Sequence, residues 1–373
     1  MIYLDHAATT RPESAVIEAM IPFLSENYMN PSAFYQPAVR TRMQVESARR
    51  NIAGFINAPY DSIIFTSGGT ESDNWAIRMG AKISEDKGRH IITTKIEHPA
   101  VLNTVRYMEE QGYDVTYLDV DSTGLINLDN LKSAIREDTV LISIMHANNE
   151  TGTIQPIKEI GRIAHEHGIL FHTDAVQTFG HLDIDADEFG IDLLSASAHK
   201  LYGPKGIGLL YIRDRKKFAK LLFGGSQELG LRPGTENVAD IIGFAKAVEI
   251  AEEAMNSDQT VQNVLRGELK SSILKEIPGA VINENVDYHL PGTLNVTFPN
   301  VSAETILIRL DMNGICASAG SACSAGAIEP SHVLMAIGKS EDEAGRTIRF
   351  SIGRENTKDD IVKTVDVLKA LFA

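Results

Sequence analysis

Between about residues 60 and 215 the chain alternates short apolar, β-rich runs with longer amphipathic stretches. The runs are Ile63–Phe65, His90–Thr94, Val115–Val120, Thr139–His146, Ile169–Asp174, Leu193–Ala196 and Gly208–Ile212. Helical spacing fills most of the gaps, over Glu71–Ser84, His98–Gln111, Leu128–Ile135 and Ile157–His167. A helix between successive strands is the connection that parallel pairing requires. The pattern therefore predicts an α/β fold with a mostly parallel sheet of the seven-stranded type, covered by helices on both faces. Ligands of such sheets bind outside the carboxyl ends of the strands, so residues that close an apolar run are the first candidates for chemistry.

The flanks follow another rhythm. Pro12 suits a first helical turn, and Val16, Met20, Phe23 and Leu24 share a face, which predicts a helix over 12–26. A helical stretch over Asp240–Asn256 leads into a second near Val261–Leu274. Strands over Thr293–Phe298 and Thr347–Ile352 come later, and a last helix starts near Thr357, with Asp360 placed for a capping box. These shifts predict a large α/β domain over 11–255 and a smaller α+β domain built from 1–10 and 256–373. No repeat, low-complexity tract or Ser/Gly linker interrupts the chain.

Composition narrows the function classes. With 43% hydrophobic and 23% charged residues, the 373-residue chain reads as an ordinary globular protein. Fifty acidic against 35 basic residues leave a net charge of −15, which disfavours direct grip on nucleic acid or on anionic lipid. Two cysteines cannot make a disulfide framework, and the N-terminus carries no basic–apolar leader pattern; both point to the cytoplasm. No apolar stretch reaches membrane-spanning length.

Four segments carry candidate chemistry. In Leu193-Leu-Ser-Ala-Ser-Ala-His-Lys200 an apolar run ends on Ser197, His199 and Lys200 before a Gly/Pro turn. A lysine at a strand end suits a Schiff base, because burial favours the neutral, nucleophilic amine; a solvated turn lysine is the ordinary alternative, and Lys205 fits that alternative better. Phe65-Thr-Ser-Gly-Gly-Thr70 is a strand followed by a glycine corner that opens a helix. Gly69 and Thr70 could there present backbone N–H groups and a hydroxyl to an anion, although any βα turn can look the same. The chain has no P-loop and no GxGxxG. Asp174 ends the run Leu170-Phe-His-Thr-Asp; a buried carboxylate costs several kcal/mol without a cation, so it either pairs with one, such as a protonated cofactor ring nitrogen, or caps the next turn. Cys323 lies in Ser318–Ala327, where no side chain exceeds cysteine in size. Such a segment cannot anchor a core, which predicts a mobile, accessible loop whose thiol could travel. Cys316 reads instead as a small buried hydrophobe.

Other polar residues have two readings each. His98, in Glu97-His98-Pro99, could stack on a flat cofactor or be a surface histidine. Asn149, in Asn148-Asn149-Glu150, follows a strand. His165, His167 and His172 cluster in sequence, but no HExxH or cysteine partner supports a metal site. Arg349, inside the alternating run from Thr347, could aim a cation into a cleft for bidentate carboxylate binding or simply be exposed.

The order Gly-Gly-Thr, His98, Asn149, Asp174/Gln177, Ser197/His199/Lys200 and a late loop cysteine resembles the NifS/IscS-like cysteine desulfurases, in the class V aminotransferase group of fold type I pyridoxal phosphate enzymes. The resemblance runs from YLDHAATT at the start to TIRFSIGR near the end, with SASAHKLYGPKGIG and SAGSACSAG as its most specific motifs. It implies pyridoxal 5'-phosphate as cofactor, with Lys200 as its covalent attachment and proton carrier and Asp174 on the ring nitrogen. His98 stacks on the ring, and Gln177 contacts the phenolic oxygen. Gly69, Thr70, Ser197 and His199 hold the phosphate, joined by Thr235 of a neighbouring subunit in a homodimer. Asn149 and Arg349 bind the substrate carboxylate. L-cysteine would become L-alanine, with the sulfur received by Cys323 as a persulfide and delivered to an iron–sulfur scaffold or a tRNA-thiolation enzyme. The long small-residue loop resembles the IscS-like subgroup, whereas Asn30-Pro-Ser-Ala-Phe-Tyr-Gln-Pro37 departs from the usual pattern near the site entrance. A selenocysteine lyase or a class V aminotransferase would share the cofactor residues, and a non-catalytic sulfur-transfer scaffold would need neither Lys200 nor Cys323.

Overall fold

The computed structural model describes residues 1–320 and 330–372. The chain opens with β1 (Ile2–Tyr3), then α1 (Ser14–Ser25) and α2 (Gln36–Phe55). The α/β alternation follows as β2 (Ile63–Thr66), α3 (Gly69–Ile83), β3 (His90–Thr94), α4 (Pro99–Glu110), β4 (Asp114–Leu118), α5 (Leu128–Ala134), β5 (Thr139–Ser143), α6 (Ile157–Glu166), β6 (Leu170–Asp174), β7 (Leu193–Ser197) and β8 (Gly208–Ile212). These strands form one seven-stranded sheet in the order β2-β8-β7-β6-β5-β3-β4. All its pairings are parallel except those of β8, which runs antiparallel to both β7 and β2. The connection from β7 to β8 holds Lys200, Gly203 and Gly206 but no crossover helix, so the chain can only turn back.

Beyond the sheet runs α7 (Val238–Glu276), one helix of 39 residues. Two helices were expected over this stretch. The polar segment Asn256–Thr260 contains neither Gly nor Pro, so nothing interrupts the backbone, and only the identity of what the helix packs against changes along its length. Its first half buries Phe244 and Val248 against the main core with Phe171, Phe179 and Leu194, and its second half buries Leu269 and Ile273 in a separate core. That second core gathers Ile2, Leu4, Leu294, Val296, Ile348 and Phe350. Its sheet, ordered β12-β10-β9, is antiparallel: β9 (Val281–Ile282), β10 (Thr293–Thr297) and β12 (Thr347–Ser351). Between β10 and β12 lie α8 (Ala303–Asp311), β11 (Ile315–Cys316), α9 (His332–Ala336) and α10 (Glu341–Ala344). The final helix, α11 (Lys358–Phe372), starts at the expected capping box: Thr357 N–H donates to Asp360 Oδ2 at 3.0 Å and Asp360 N–H to Thr357 Oγ1 at 3.4 Å.

The extreme N-terminus joins this second body, because β1 pairs in parallel with β11. Cys316 therefore sits on a two-residue strand and is half-buried, not the fully buried hydrophobe its sequence suggested. The helix α2 carries no strong apolar stripe; its inner face is built of small residues (Ala38, Ala48, Ala53), two aliphatics and the buried Arg49, which pairs with Glu228 at 2.8 Å. An arginine on an inward face hides the helical period that hydrophobicity would display.

Candidate active site

The carboxyl ends of the parallel strands form a cavity of about 240 Å³. Gly69, Thr70, His98, Asn149, Asp174, Gln177, Ser197, His199, Lys200 and Arg349 all line it. These residues span 280 positions of sequence (Gly69 to Arg349); those up to Lys200 are brought together by the strand ends and helix starts of the large sheet, whereas Arg349 comes from the middle of β12 in the small one. Thr235, the remaining cofactor residue expected, is exposed and does not line the cavity of its own chain. Cys323 lies outside the described residues.

At one end of the cavity, Gly69 opens α3, and its first turn presents backbone N–H groups that no helical carbonyl can satisfy. Both glycines of this corner are required. Gly68 adopts φ +152°, and a Cβ on Gly69 would approach Val176 Cγ2 to 2.7 Å. Ser197 ends β7 opposite, and His199 follows on the short turn Ala198–Lys200, its Nδ1 paired with Thr9 Oγ1 at 3.1 Å. Burial and the charge of Lys200 push the His199 imidazole down to about 4, so it is neutral at neutral pH. Hydroxyls, imidazole and free N–H groups around a helix start suit a phosphate.

At the other end lies Asp174. It closes β6, is buried, and accepts from Val176 N–H at 2.9 Å through Oδ1, so the turn-capping role is realised. Burial raises its pKa, with His98 and Lys200 opposing that rise. His98 stands at the N-terminus of α4, where its Nδ1 accepts from Ala100 N–H at 3.1 Å; burial lowers its pKa. Lys200 enters between the two ends. Its Nζ donates to the carbonyls of Ala7 and Ala8 at 2.5 and 2.8 Å, and Gln177 Nε2 donates to the same Ala7 oxygen at 3.0 Å. Lys205 is exposed, as a solvated turn lysine should be.

Three neighbours went unread in the sequence. Asp73, on α3, is buried with no hydrogen-bond partner on its Oδ1, which lies 3.6 Å from His172 Nε2, and its pKa is raised by burial and then by Asp174. Its donor atoms, with those of His98 and Asp174, fall within 4.8 Å of one another. Glu97 is fully buried, accepts from Thr94 Oγ1 and Met145 N–H, and is pushed by burial up to about 8. Asp5 pairs with Arg349 at 2.7 Å. All three stand inside motifs already singled out (SGGTESDN, EHP and YLDHAATT), and polarity within those strings was the available signal. Of the two readings of Arg349 the exposed one fails, since the residue is only 1% exposed. The clustered histidines do not converge: His165 pairs with Asp192, His167 with the Ile163 carbonyl, and His172 with the hydroxyls of Ser143 and Ser195.

The residues present fit pyridoxal phosphate. A buried acid faces an imidazole at the ring end, with an orphaned carboxyl oxygen beside it, and a glycine corner that a Cβ would fill lies at the phosphate end, with a lysine amine between. Comparison with known proteins points the same way. The class-V aminotransferase family matches residues 2–363. A protein named cysteine desulfurase IscS from Clostridium botulinum is 47% identical over 373 residues, covering 100% of this chain and 94% of that protein. A solved structure described as a NifS-like protein superposes with a TM-score of 0.93 at 38% identity, covering 99% of this chain and 98% of that one. Another, described as SspA in complex with cysteine, gives a TM-score of 0.84 at 42% identity, covering 96% and 100%. The chain belongs to the cysteine desulfurases of the class-V aminotransferase family.

Proposed function

We propose that the protein is a pyridoxal phosphate-dependent cysteine desulfurase that converts L-cysteine to L-alanine and takes the sulfur onto Cys323 as a persulfide. The observation that carries this reading is the convergence of Lys200, Asp174 and Arg349 on one cavity. When bound, the cofactor supplies an electron sink conjugated to the substrate α-carbon. Asp174 would hold the ring nitrogen and His98 the ring face, while Gly69, Thr70, Ser197 and His199 hold the phosphate and Gln177 the phenolic oxygen. Lys200 Nζ would be the covalent attachment and, as a free amine, the base that moves the α-proton. Asn149 and Arg349 would orient the substrate carboxylate. A Cys323 thiolate then attacks the substrate sulfur: an S–S bond forms, the Cβ–S bond breaks, and its electron pair stays with the carbon product, which is protonated to alanine.

The active unit is a homodimer, with Thr235 reaching the partner's phosphate site, and the large body (11–255) and small body (1–10 and 256–373) are separate domains. The persulfide passes in the cytoplasm to a protein acceptor, an iron–sulfur scaffold or a tRNA-thiolation enzyme. The acidic net charge of −15 supports a protein acceptor over direct contact with nucleic acid.

The test is product analysis. Purified protein with pyridoxal phosphate, L-cysteine and a reductant should release alanine and sulfide in equal amounts. Cys323→Ala should still change colour on binding L-cysteine yet form neither persulfide nor alanine. Undiminished alanine release by that variant would point to a lyase reaction that needs no Cys323, and a sulfur-bearing keto acid in place of alanine to an aminotransferase.

A further inference from the structure

Arg349 is almost fully buried, and a buried guanidinium must have its N–H groups placed. Two of its three nitrogens are engaged. Nη2 donates to Asp5 Oδ1 at 2.7 Å and Nη1 to the Asn149 carbonyl at 2.9 Å, while Nε has no partner. The backbone fixes Asp5 where it can do this. Asp5 sits in a parallel bridge opposite Ser351, two residues along β12 from Arg349, and Ser351 N–H donates to the Leu4 carbonyl at 2.8 Å. Ser351 Oγ also accepts from Ala7 N–H at 2.8 Å, so the segment that holds Lys200 Nζ and the segment that holds Arg349 are one short stretch of chain. Glu150, the other acid near Arg349, is engaged by Ser331 Oγ at 2.5 Å.

We infer that Asp5 is a positioning residue for substrate recognition: it fixes the plane of the Arg349 guanidinium where that residue lines the cavity, ready to receive the α-carboxylate of an amino-acid substrate. An arginine fork binds a carboxylate well only when its plane is set in advance, and an unanchored side chain must lose rotamer freedom on binding. Asp5 also neutralises the buried cation before substrate arrives, so binding adds a carboxylate to an anchored guanidinium. The inference rests on the reading that Arg349 receives the carboxylate, and the experiment separates the two.

The experiment uses holoenzyme with L-cysteine and with cysteamine, which lacks the carboxylate. In Asp5→Ala, KM for L-cysteine should rise about tenfold, with kcat within about threefold of the parent. The dissociation constant of cysteamine, read from the change in cofactor absorbance, should stay within about twofold. Asp5→Asn keeps an oxygen for Nη2 and should hold KM within about threefold, which a role resting on charge alone would not allow. Thermal melting of both variants guards against loss of fold, and Asp5→Asn suffices if Asp5→Ala does not fold, since a tenfold rise in its KM overturns the inference. An unchanged or lowered KM in Asp5→Ala makes Asp5 a bystander or a competitor, and equal weakening of cysteamine makes it a general structural residue; either result overturns the inference. Arg349→Ala is the reference. If it penalises L-cysteine but not cysteamine while Asp5→Ala does not, Asp5 alone is wrongly assigned; if it penalises neither selectively, the carboxylate reading and this inference fall together.

Discussion

The two walls of the cavity are built in different ways. One is made by the carboxyl ends of the large parallel sheet and its first helical turns: Gly69 at α3, His98 at α4, Asp174 at the end of β6, and Ser197 with Lys200 after β7. The other is made by the N-terminal segment with β12, where the stretch from Asp5 to Ala8 meets Arg349 and Ser351 through one backbone bridge and through hydrogen bonds between positions 344 residues apart. The first wall places groups by topology, so the residues just named stand where an element ends or begins. The second places them by an isolated bridge between Asp5 and Ser351 and a few hydrogen bonds around it. A parallel α/β sheet is a rigid frame for binding a cofactor. A segment held by one bridge at Asp5 and a few hydrogen bonds is where specificity can be adjusted without rebuilding the core.

The largest effect should come from removing the junction of the two walls. Lys200→Ala should lose covalent cofactor attachment and drop turnover by at least about 10³-fold, as loss of a nucleophile and proton carrier requires. Borohydride reduction and mass spectrometry of the parent should find the pyridoxyl label on Lys200, and a label on Lys205 would show that the wrong lysine was assigned. Next comes the sheet wall. Asp174→Ala should cut turnover by about 10²-fold or more and blue-shift or weaken the cofactor absorbance, because it removes the carboxyl at the end of β6 proposed to hold the ring nitrogen. A smaller, pH-dependent effect belongs to Glu97. Its folded pKa of about 8 lies above the ordinary 4.5, so the folded state binds a proton that the unfolded state gives up. Stability therefore falls as pH rises from about 4.5 to about 8, by up to a few kcal/mol. Glu97→Gln, which cannot ionise, should flatten that slope, and chemical denaturation at pH 5 and pH 8 would read it. A slope unchanged in Glu97→Gln would assign the pH dependence elsewhere. The smallest effect should be that of Lys205→Ala, exposed on the same turn as Lys200: less than about twofold on kcat/KM.

Much of the sheet wall was legible because its signals are local. Each apolar run bounded by Gly, Pro or a polar pair became a strand within a few residues of its expected ends, as with Leu193–Ala196 against Leu193–Ser197. The site residues then fell where strands stop. What failed to show has a physical reason in each case. The helix α2 hides behind Arg49, whose burial depends on the distant Glu228 together with the Ile63 carbonyl and Glu46. The single helix α7 looked like two because its buried face changes partner from the main core to the small one. Asp73 and Glu97 carry no periodic signal, since a buried carboxyl looks like any surface acid until its neighbours are known.

By itself, then, the order of residues determined the α/β alternation, the lysine and aspartate at strand ends, the glycine corner and the family they belong to. Only the tertiary structure decided that Asp5 and Ser351 would be partners, that Ala7 and Ala8 would hold the lysine amine, and that Arg349 would be buried instead of exposed. The first set depends on periodicity and turn chemistry within some twenty neighbouring residues. The second depends on pairing between chain segments far apart, whose register is selected by packing of the whole second core and leaves no mark in any local stretch.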